Sequence, residues 1–329
     1  MVLREERDRS MWDALATSVE RATFLQSWAW GEGQRALGKI VRRYVLEKEG
    51  NPCFIAQAIE ERRYGLIYWF VPGGPIAVSA KVDVDEWREA VDVLRNHLLC
   101  GRAIFLRIEP FLRVENVCPD EWIQRRSYNP AVHWMVDLRD KTEAQLLAEM
   151  EQKTRYNVRL GERQGVVTRL STAREDVEVF LSLTHETGER HKIVVRNDHY
   201  LRTTFFAMVD SGIASLRVAE HEGEVLAASI EVAFGDTVTY LHGASSSKRH
   251  EIKAPQVLHW HAIQEAARRG SAWYDFGGCN PQELGQYEYK KSLEGVTRFK
   301  EGWGGERSAW VGTFVVPRSL WIGKILFRG

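Results

Sequence analysis

The stretch from Thr239 to Gly305 constrains the fold more than any other part of the chain. It opens with an apolar, strand-like run ending in Tyr240-Leu241-His242-Gly243-Ala244-Ser245. A helical pattern follows from about Pro255 to Arg269, and then a second strand, Ser271 to Gly278. The stretch closes on the polar-aromatic run Gly285 to Lys291 and on Thr297-Arg298-Phe299-Lys300-Glu301-Gly302-Trp303-Gly304-Gly305. Strand, helix, strand and a glycine-rich close form one α/β unit, and the rest of the chain repeats its rhythm.

At 329 residues the chain is long for a single core, so two domains are expected. The first opens with helices at Met11–Val19 and Trp28–Leu37, the latter with Ser27 as N-cap. Strands Arg42–Glu47 and Pro52–Glu60 turn at Glu49-Gly50-Asn51, and Tyr64–Val71 runs into the rigid loop Pro72-Gly73-Gly74-Pro75. Apolar positions at Trp87, Ala90, Val91, Leu94 and Leu98 mark an amphipathic helix, and Ala103–Glu109 reads as a buried strand. Trp122-Ile123 is expected to begin a short helix, and His133–Leu138 is a strand. The pattern changes near Arg139 to Thr142, which predicts a first domain over 1–140 and a second over 141–312. Residues 313–329 are expected to return to the first domain. In the second, Thr142 begins a helix with a loose capping box, and a helix carries Lys153 to Arg159. Two mixed units in the same element order predict a duplicated α/β (α+β) fold.

Lys+Arg equals Asp+Glu, so no general field draws the chain to nucleic acid, and any polyanion must meet a local patch. The four cysteines form no CxxC pair, which argues against a zinc site or disulfide framework, and no metal is expected. The charged start MVLREERDRS is unlike a secretory signal, and no apolar run approaches the ~20 residues of a membrane span. A cytoplasmic protein is the expectation. Arg155, Arg159 and Arg163 recur every four residues and, with Lys153, can track phosphates, although a solvated helix face explains the same spacing. Arg196, in a polar loop before Tyr200, has the planar fork that suits a diphosphate, but surface arginines are common. His259 and His261, two apart on a helix, point to opposite sides and suit hydrogen bonding better than a metal. The Ser245 to Arg249 loop lacks the glycine spacing of a pyrophosphate loop for acyl-CoA.

Taken in order, FLQSWAWGEGQ, VPGGP, LRIEP, KTRYNVRLGERQGV, RNDHYLRTTF, YLHGASS, APQVLHWHAIQEA, YDFGG and RFKEGWGG resemble the FemABX family of non-ribosomal peptidyltransferases. The likeness runs from about Phe24 to Gly305, and the number and order of the motifs carry it. It implies two tandem GNAT-like acyltransferase domains. It also implies an aminoacyltransferase of cell-wall synthesis that takes its acyl group from aminoacyl-tRNA and needs no other cofactor. The acceptor would be a peptidoglycan precursor, UDP-MurNAc-pentapeptide or lipid II. No segment is long enough for the helical hairpin that some members insert, so the chain is similar to the compact type. By the same resemblance, Phe299 and Lys300 fall on the family's aromatic–lysine pair, and Arg196 on a ligand of the acceptor diphosphate. The second diphosphate ligand, a lysine in the family, falls on Gln34, with Arg35 beside it, which leaves open both a lipid-linked carrier and Arg35 substituting for the lysine. Glu109 takes the place of an acidic residue and is the candidate general base, Asp275 ends the second-domain strand, and His242 stands where the compact type carries tyrosine. The resemblance leaves an acyl-CoA-dependent N-acyltransferase and a silent tRNA-binding protein as rival readings. The apolar-basic tail around Trp321 suits either a peripheral contact with the inner membrane surface or ordinary packing.

Overall fold

The computed structural model describes residues 1–78, 84–112, 122–191, 194–282 and 287–319. Its contacts divide the chain into two units, Met1–Ala131 with Gly285–Glu288 and Ala309–Gly329, and Val132–Leu284 with Tyr289–Ser308.

The first unit runs β1 (Val2–Glu5), α1 (Arg9–Thr17), α2 (Trp28–Ala36), β2 (Val41–Lys48), β3 (Asn51–Arg63), β4 (Leu66–Gly73), β5 (Ile76–Ala77), α3 (Val84–Leu98), β6 (Phe105–Pro110) and β7 (Ile123–Arg125). Local chemistry sets the starts: Asp8 accepts from the Met11 N–H at 2.8 Å, and Ser27 from the Trp30 N–H at 3.1 Å. Glu49 and Gly50 both take positive φ, the backbone that a tight β2–β3 turn requires. The strand order is β1-β2-β3-β4-β6, then the returning strand Thr313–Pro317, then β7. The α3 stripe is buried as its spacing predicts, with Trp87, Ala90, Val91 and Leu94 at 0% exposure against Leu46, Val71 and Leu106. Trp122-Ile123 does not begin a helix. Ile123 opens β7, because Thr313–Val315 offers it an antiparallel partner almost two hundred residues away in sequence. Leu320 to Gly329, with Trp321, lie outside the described residues.

The second unit runs β8 (Val132–Asp137), α4 (Glu143–Glu149), α5 (Gln152–Arg163), β9 (Val167–Ser171), α6 (Arg174–His191), α7 (Asp198–Asp210), β10 (Ala214–His221), β11 (Glu224–Phe234), β12 (Thr237–Ser245), α8 (Ala254–Arg268), β13 (Trp273–Gly278), α9 (Glu294–Glu301) and β14 (Glu306–Ala309). The strand order is β14-β8-β13-β12-β11-β10-β9. The sequence pattern places β8 in the first domain; in the structure it pairs antiparallel with β13, Trp273 facing Asp137 and Gly278 facing His133. The contact boundary accordingly falls at Ala131, ahead of the polar stretch 139–142, which is only the β8–α4 turn. Thr142 forms a full capping box with Gln145, at 2.8 and 3.3 Å. Among the described residues no long helical hairpin interrupts this unit, and no helix is long and apolar enough to cross a membrane.

Candidate active site

The second unit holds one parallel pair beside its crossover helix, and that pair comes apart. β12 and β13 are in register only from Thr237↔Trp273 to Thr239↔Asp275. Beyond that point their carbonyl ends, Tyr240 to His242 and Phe276 to Gly278, carry no ladder bonds to each other. An opened parallel pair leaves backbone groups and side chains facing a gap, which is where α/β sheets place ligands. Gly243 is required beside it: a Cβ there would lie 1.7 Å from the Tyr240 hydroxyl.

Lys300 closes this end of the sheet. It stands in the last turn of α9, 7% exposed, with Nζ donating to the Gly278 carbonyl at 2.6 Å. Burial pulls its ammonium down to about 8, against the charge of Asp275, which pulls it up. Asp275 is buried too, and burial works to raise its pKa. The opposing pull of His133 and a 2.7 Å bond from the Gly277 N–H, with Lys300 nearby, hold the carboxyl below its usual range. His133 Nδ1 lies 2.9 Å from Asp275 Oδ2. The ionised Asp275 therefore has a hydrogen on His133 Nδ1 facing one oxygen and a backbone N–H facing the other. His133 went unnoticed in the sequence because it sits in an ordinary apolar strand; only the β8–β13 register makes it a partner.

Phe299 is half-buried in an aromatic cluster, 5.4 Å from the His259 ring and 6.1 Å from Trp303. His259 serves as an internal hydrogen-bonding group, 3.2 Å from the Tyr274 hydroxyl, and burial drives its pKa to about 3. The segment after Lys300 abuts the start of α5. A Cβ on Gly302 would lie 2.4 Å from Thr154 Oγ1, and the Glu151 N–H donates to the Gly302 carbonyl at 2.9 Å. The basic helix thus begins against the Phe299–Lys300 turn. Its expected stripe is changed, however. Arg155 turns back to cap α4, donating to the carbonyls of Leu147 at 3.2 Å, Ala148 at 3.0 Å and Met150, whereas Lys153, Arg159 and Arg163 are exposed. Spacing could not tell these arginines apart, because α4 ends where Arg155 reaches.

On β12, partly buried His242 is held neutral, its pKa lowered to about 4 by burial and then by Arg196. Arg196 itself is exposed, its guanidinium carbon 5.1 Å from the centre of the Tyr200 ring. Arg196, Tyr200 and His242 therefore form one neighbourhood. Asp275, Phe299 and Lys300 form another, and β12, through Tyr240 set edge-on 4.5 Å from the His259 ring, links the two within one unit.

The expected residues of the first unit have other occupations. Glu109, at the end of β6, is 4% exposed and accepts from the Tyr128 N–H at 2.6 Å, the Asn129 side chain at 2.7 Å and the Thr313 hydroxyl at 2.6 Å. A carboxylate so fully engaged clamps a loop to the returning strand and is a poor proton acceptor, so its candidacy as the general base fails. Arg35 is likewise engaged with Glu32 at 3.0 Å and the Val41 carbonyl at 2.9 Å, and does not replace a lysine. Gln34 is different. It is 1% exposed, and its Nε2 has no partner among the described residues. A buried polar network lies in the same unit: Arg43 donates to Gln57 at 2.7 Å and lies 3.6 Å over the Trp28 ring, while the Gln57 N–H donates to Gln26 at 2.7 Å.

The model of the FemAB family matches residues 123–220 and 209–321, more than half of the chain. The chain belongs to the FemAB family. A lipid II:glycine glycyltransferase of Staphylococcus aureus is 20% identical, the alignment covering 92% of this chain and 90% of that one. Among solved structures, FemX superposes with a TM-score of 0.83 at 18% identity, covering 99% of this chain and 100% of its own. A tandem GNAT protein from the clavulanic acid biosynthesis pathway gives 0.56 at 11% identity, covering 97% and 98%. The fold of this FemAB chain is accordingly a pair of GNAT-like units, and the aromatic–lysine motif Phe299–Lys300 lies inside the matched region.

Proposed function

We propose that this chain is a tRNA-dependent aminoacyltransferase that adds an amino acid to the stem-peptide amine of a peptidoglycan precursor. The single observation that carries the reading is Lys300: a cationic side chain buried against Gly278 where the β12–β13 pair opens, at the foot of an exposed basic helix. A protein seldom buries an ammonium unless its charge is used. The similarity of the chain to a lipid II:glycine glycyltransferase over most of both lengths supports the acceptor class.

The reaction is aminolysis of an ester. The acceptor nitrogen attacks the aminoacyl carbonyl, a C–N bond forms, the C–O bond to the tRNA ribose breaks, and the amine's surplus proton ends on the ribose oxygen. Lys300 stabilises the negative charge that develops on the tetrahedral or departing oxygen; removing one such donor commonly costs about 3 kcal/mol of barrier. Asp275, oriented by His133, holds Lys300 in its protonated form. With Glu109 engaged elsewhere, the nucleophile loses its proton through the substrates or solvent. Phe299 offers a face for the terminal base of the donor, and Lys153 and Arg159 meet the phosphates of its acceptor arm. Arg196 with Tyr200 binds the acceptor's diphosphate, with His242 in the same neighbourhood.

Incubation with mixed charged tRNAs and either UDP-linked or lipid-linked pentapeptide tests the reading by the mass of the muropeptide. A gain of one aminoacyl residue that needs charged tRNA is expected. Acylation from acetyl-CoA without tRNA would replace the donor, and binding of charged tRNA without transfer would leave a silent RNA-binding protein.

A further inference from the structure

The outer face of α5 is anchored at both ends within the second unit. Its amino end abuts the Phe299–Lys300 turn, where Gly302 meets Thr154. Its carboxyl end packs where the chain enters α8. A Cβ on Gly161 would lie 2.6 Å from the Val257 side chain and 3.0 Å from the Ile252 carbonyl oxygen, so a larger residue would hold the two apart. Val158 and Gly161 are the buried positions of the helix, and Lys153, Tyr156, Arg159 and Arg163, three or four residues apart, are exposed. The ten residues from Lys153 to Arg163 cover about 15 Å along the axis.

The charges on this face lack the partners that others in the unit have. Arg169 is clamped by Asp176 and Glu220, Arg202 by Glu178, and Arg249 by Glu222. Lys153, Arg159 and Arg163 make no hydrogen bond or ion pair among the described residues, and the carboxylate among them, Glu162, lies 3.6 Å from His261. Tyr156 is 57% exposed, with its hydroxyl equally unengaged. Lys253, whose carbonyl oxygen would lie 3.2 Å from the same Gly161 Cβ, carries the surface onward into a cavity of about 200 Å³ that Ser246, Lys248 and His250 also line. The Lys248 and Lys253 ammonium groups are unpaired as well. Glu186, which feels the charge of Lys248, is bonded to the Ser247 N–H at 2.6 Å, and Glu251 is the exposed carboxylate beside the cavity.

We infer that this tract, from the Phe299–Lys300 turn along α5 to the Lys248–Lys253 cavity, is the bed of the donor's 3′-terminal RNA strand, with Tyr156 stacked on one base and a backbone phosphate in the cavity. The inference rests on the aminoacyl-tRNA reading and adds a direction to it. The aminoacylated 3′ end belongs at Lys300, so the strand runs toward its 5′ side from Lys153 to Lys253. About 15 Å is the rise of roughly four stacked nucleotides. Unpaired cations for phosphates and an exposed aromatic for a base are the two elements that single-strand binding combines.

The direction is read by fluorescence anisotropy at low salt, with RNA of about four and about ten nucleotides, both ending in 3′-CCA. For the longer RNA, Lys248→Ala with Lys253→Ala should weaken binding about ten-fold and flatten the salt slope by about 1.4, the share of two phosphates. The shorter RNA should bind that variant and the parent alike. Tyr156→Ala should weaken both about ten-fold, and Tyr156→Phe should bind as the parent does. Equal losses for the two lengths, no loss for either, or a Tyr156→Ala variant that binds like the parent overturns the inference. Transfer from charged tRNA with an unaltered KM in these variants refutes the tract and leaves the proposed function standing. The expected length dependence without aminoacyl transfer does the reverse. Capture of the parent on phosphatidylglycerol vesicles, lost in the double lysine variant while the longer RNA binds both equally, would assign the face to a membrane surface instead.

Discussion

The two units put a buried carboxylate at the end of a strand in the same kind of sheet and use it in opposite ways. In the first, β4 and β6 remain in register from Trp69↔Leu106 to Gly73↔Pro110, and Glu109 at that end is filled with donors from Tyr128, Asn129 and Thr313. In the second, β12 and β13 part after Thr239↔Asp275, and Asp275 keeps one histidine and one backbone N–H while a buried lysine stands nearby. The lesson is that saturation, rather than burial, separates a structural acid from a working one. Glu109, with Arg107 also 3.4 Å away, has its oxygens filled by donors that hold a loop in place, whereas Asp275 keeps fewer donors beside the opening.

The comparison is broken most severely at the lysine. Lys300→Met should lower transfer by about 10² to 10³ while leaving acceptor affinity nearly unchanged, as single-turnover rates and calorimetry would measure. The same change should stabilise the fold at neutral pH. Below about 8 the protein holds a buried ammonium that the unfolded chain would hydrate freely, and its shift from 10.5 corresponds to roughly 3 kcal/mol, to be read as an order of magnitude. A loss of stability in urea unfolding would contradict this.

Next in size is the clamp. Glu109→Ala leaves the Tyr128 N–H and the Thr313 hydroxyl without their acceptor and should destabilise the fold by on the order of 3 kcal/mol. Glu109→Gln should retain part of that stability and most of the transfer rate. A pH-dependent loss of rate in the glutamine variant would restore Glu109 as a base.

The charge relation in the second unit is tested by Asp275→Asn. Removing the carboxylate takes away the charge that raises the Lys300 pKa, so the alkaline fall in rate should move below its wild-type position near 8. Cys279, which also raises the Lys300 pKa, loses the upward pull of Asp275 on its own thiol in the same variant, and His259 stays neutral by burial. His133→Gln should preserve the limb better than His133→Ala, since it keeps a donor for Asp275.

Smaller effects separate the arginines of α5. Arg159→Ala should raise the KM for charged tRNA a few-fold and shallow its salt dependence, whereas Arg155→Ala should mainly loosen the end of α4. The buried histidines add a stability signature. His259 and His242 stay neutral in the fold down to about 3 and 4, so the unfolded chain takes up protons first as pH falls through 6.5. Stability should therefore be lost progressively on acidification below 6.5, and a flat thermal midpoint over that range would count against their burial.

Much of the fold was legible because local signals agreed with it. Ser27, the Thr142–Gln145 box and the α3 stripe name their elements without help, and the Phe299–Lys300 turn stands out by its glycines. What failed were non-local pairings. Ile123 becomes strand only because Thr313 to Val315 lies beside it, and β8 joins the second sheet only because β13 does. The same holds in the site: Arg155 and Arg159 look alike until the end of α4 is in place, and Glu109 looks reactive until its donors are counted. His133 carries no signal of its own.

The most direct measurement follows the Lys300 ammonium by NMR in selectively labelled protein while single-turnover transfer from aminoacyl-tRNA is recorded over the same pH range. Titration near 8, with transfer falling as the ammonium is lost, is expected. An ammonium that titrates at the ordinary 10.5 would contradict the burial of Lys300, and transfer that rises steadily as Lys300 loses its proton would contradict a charged lysine at the reacting ester.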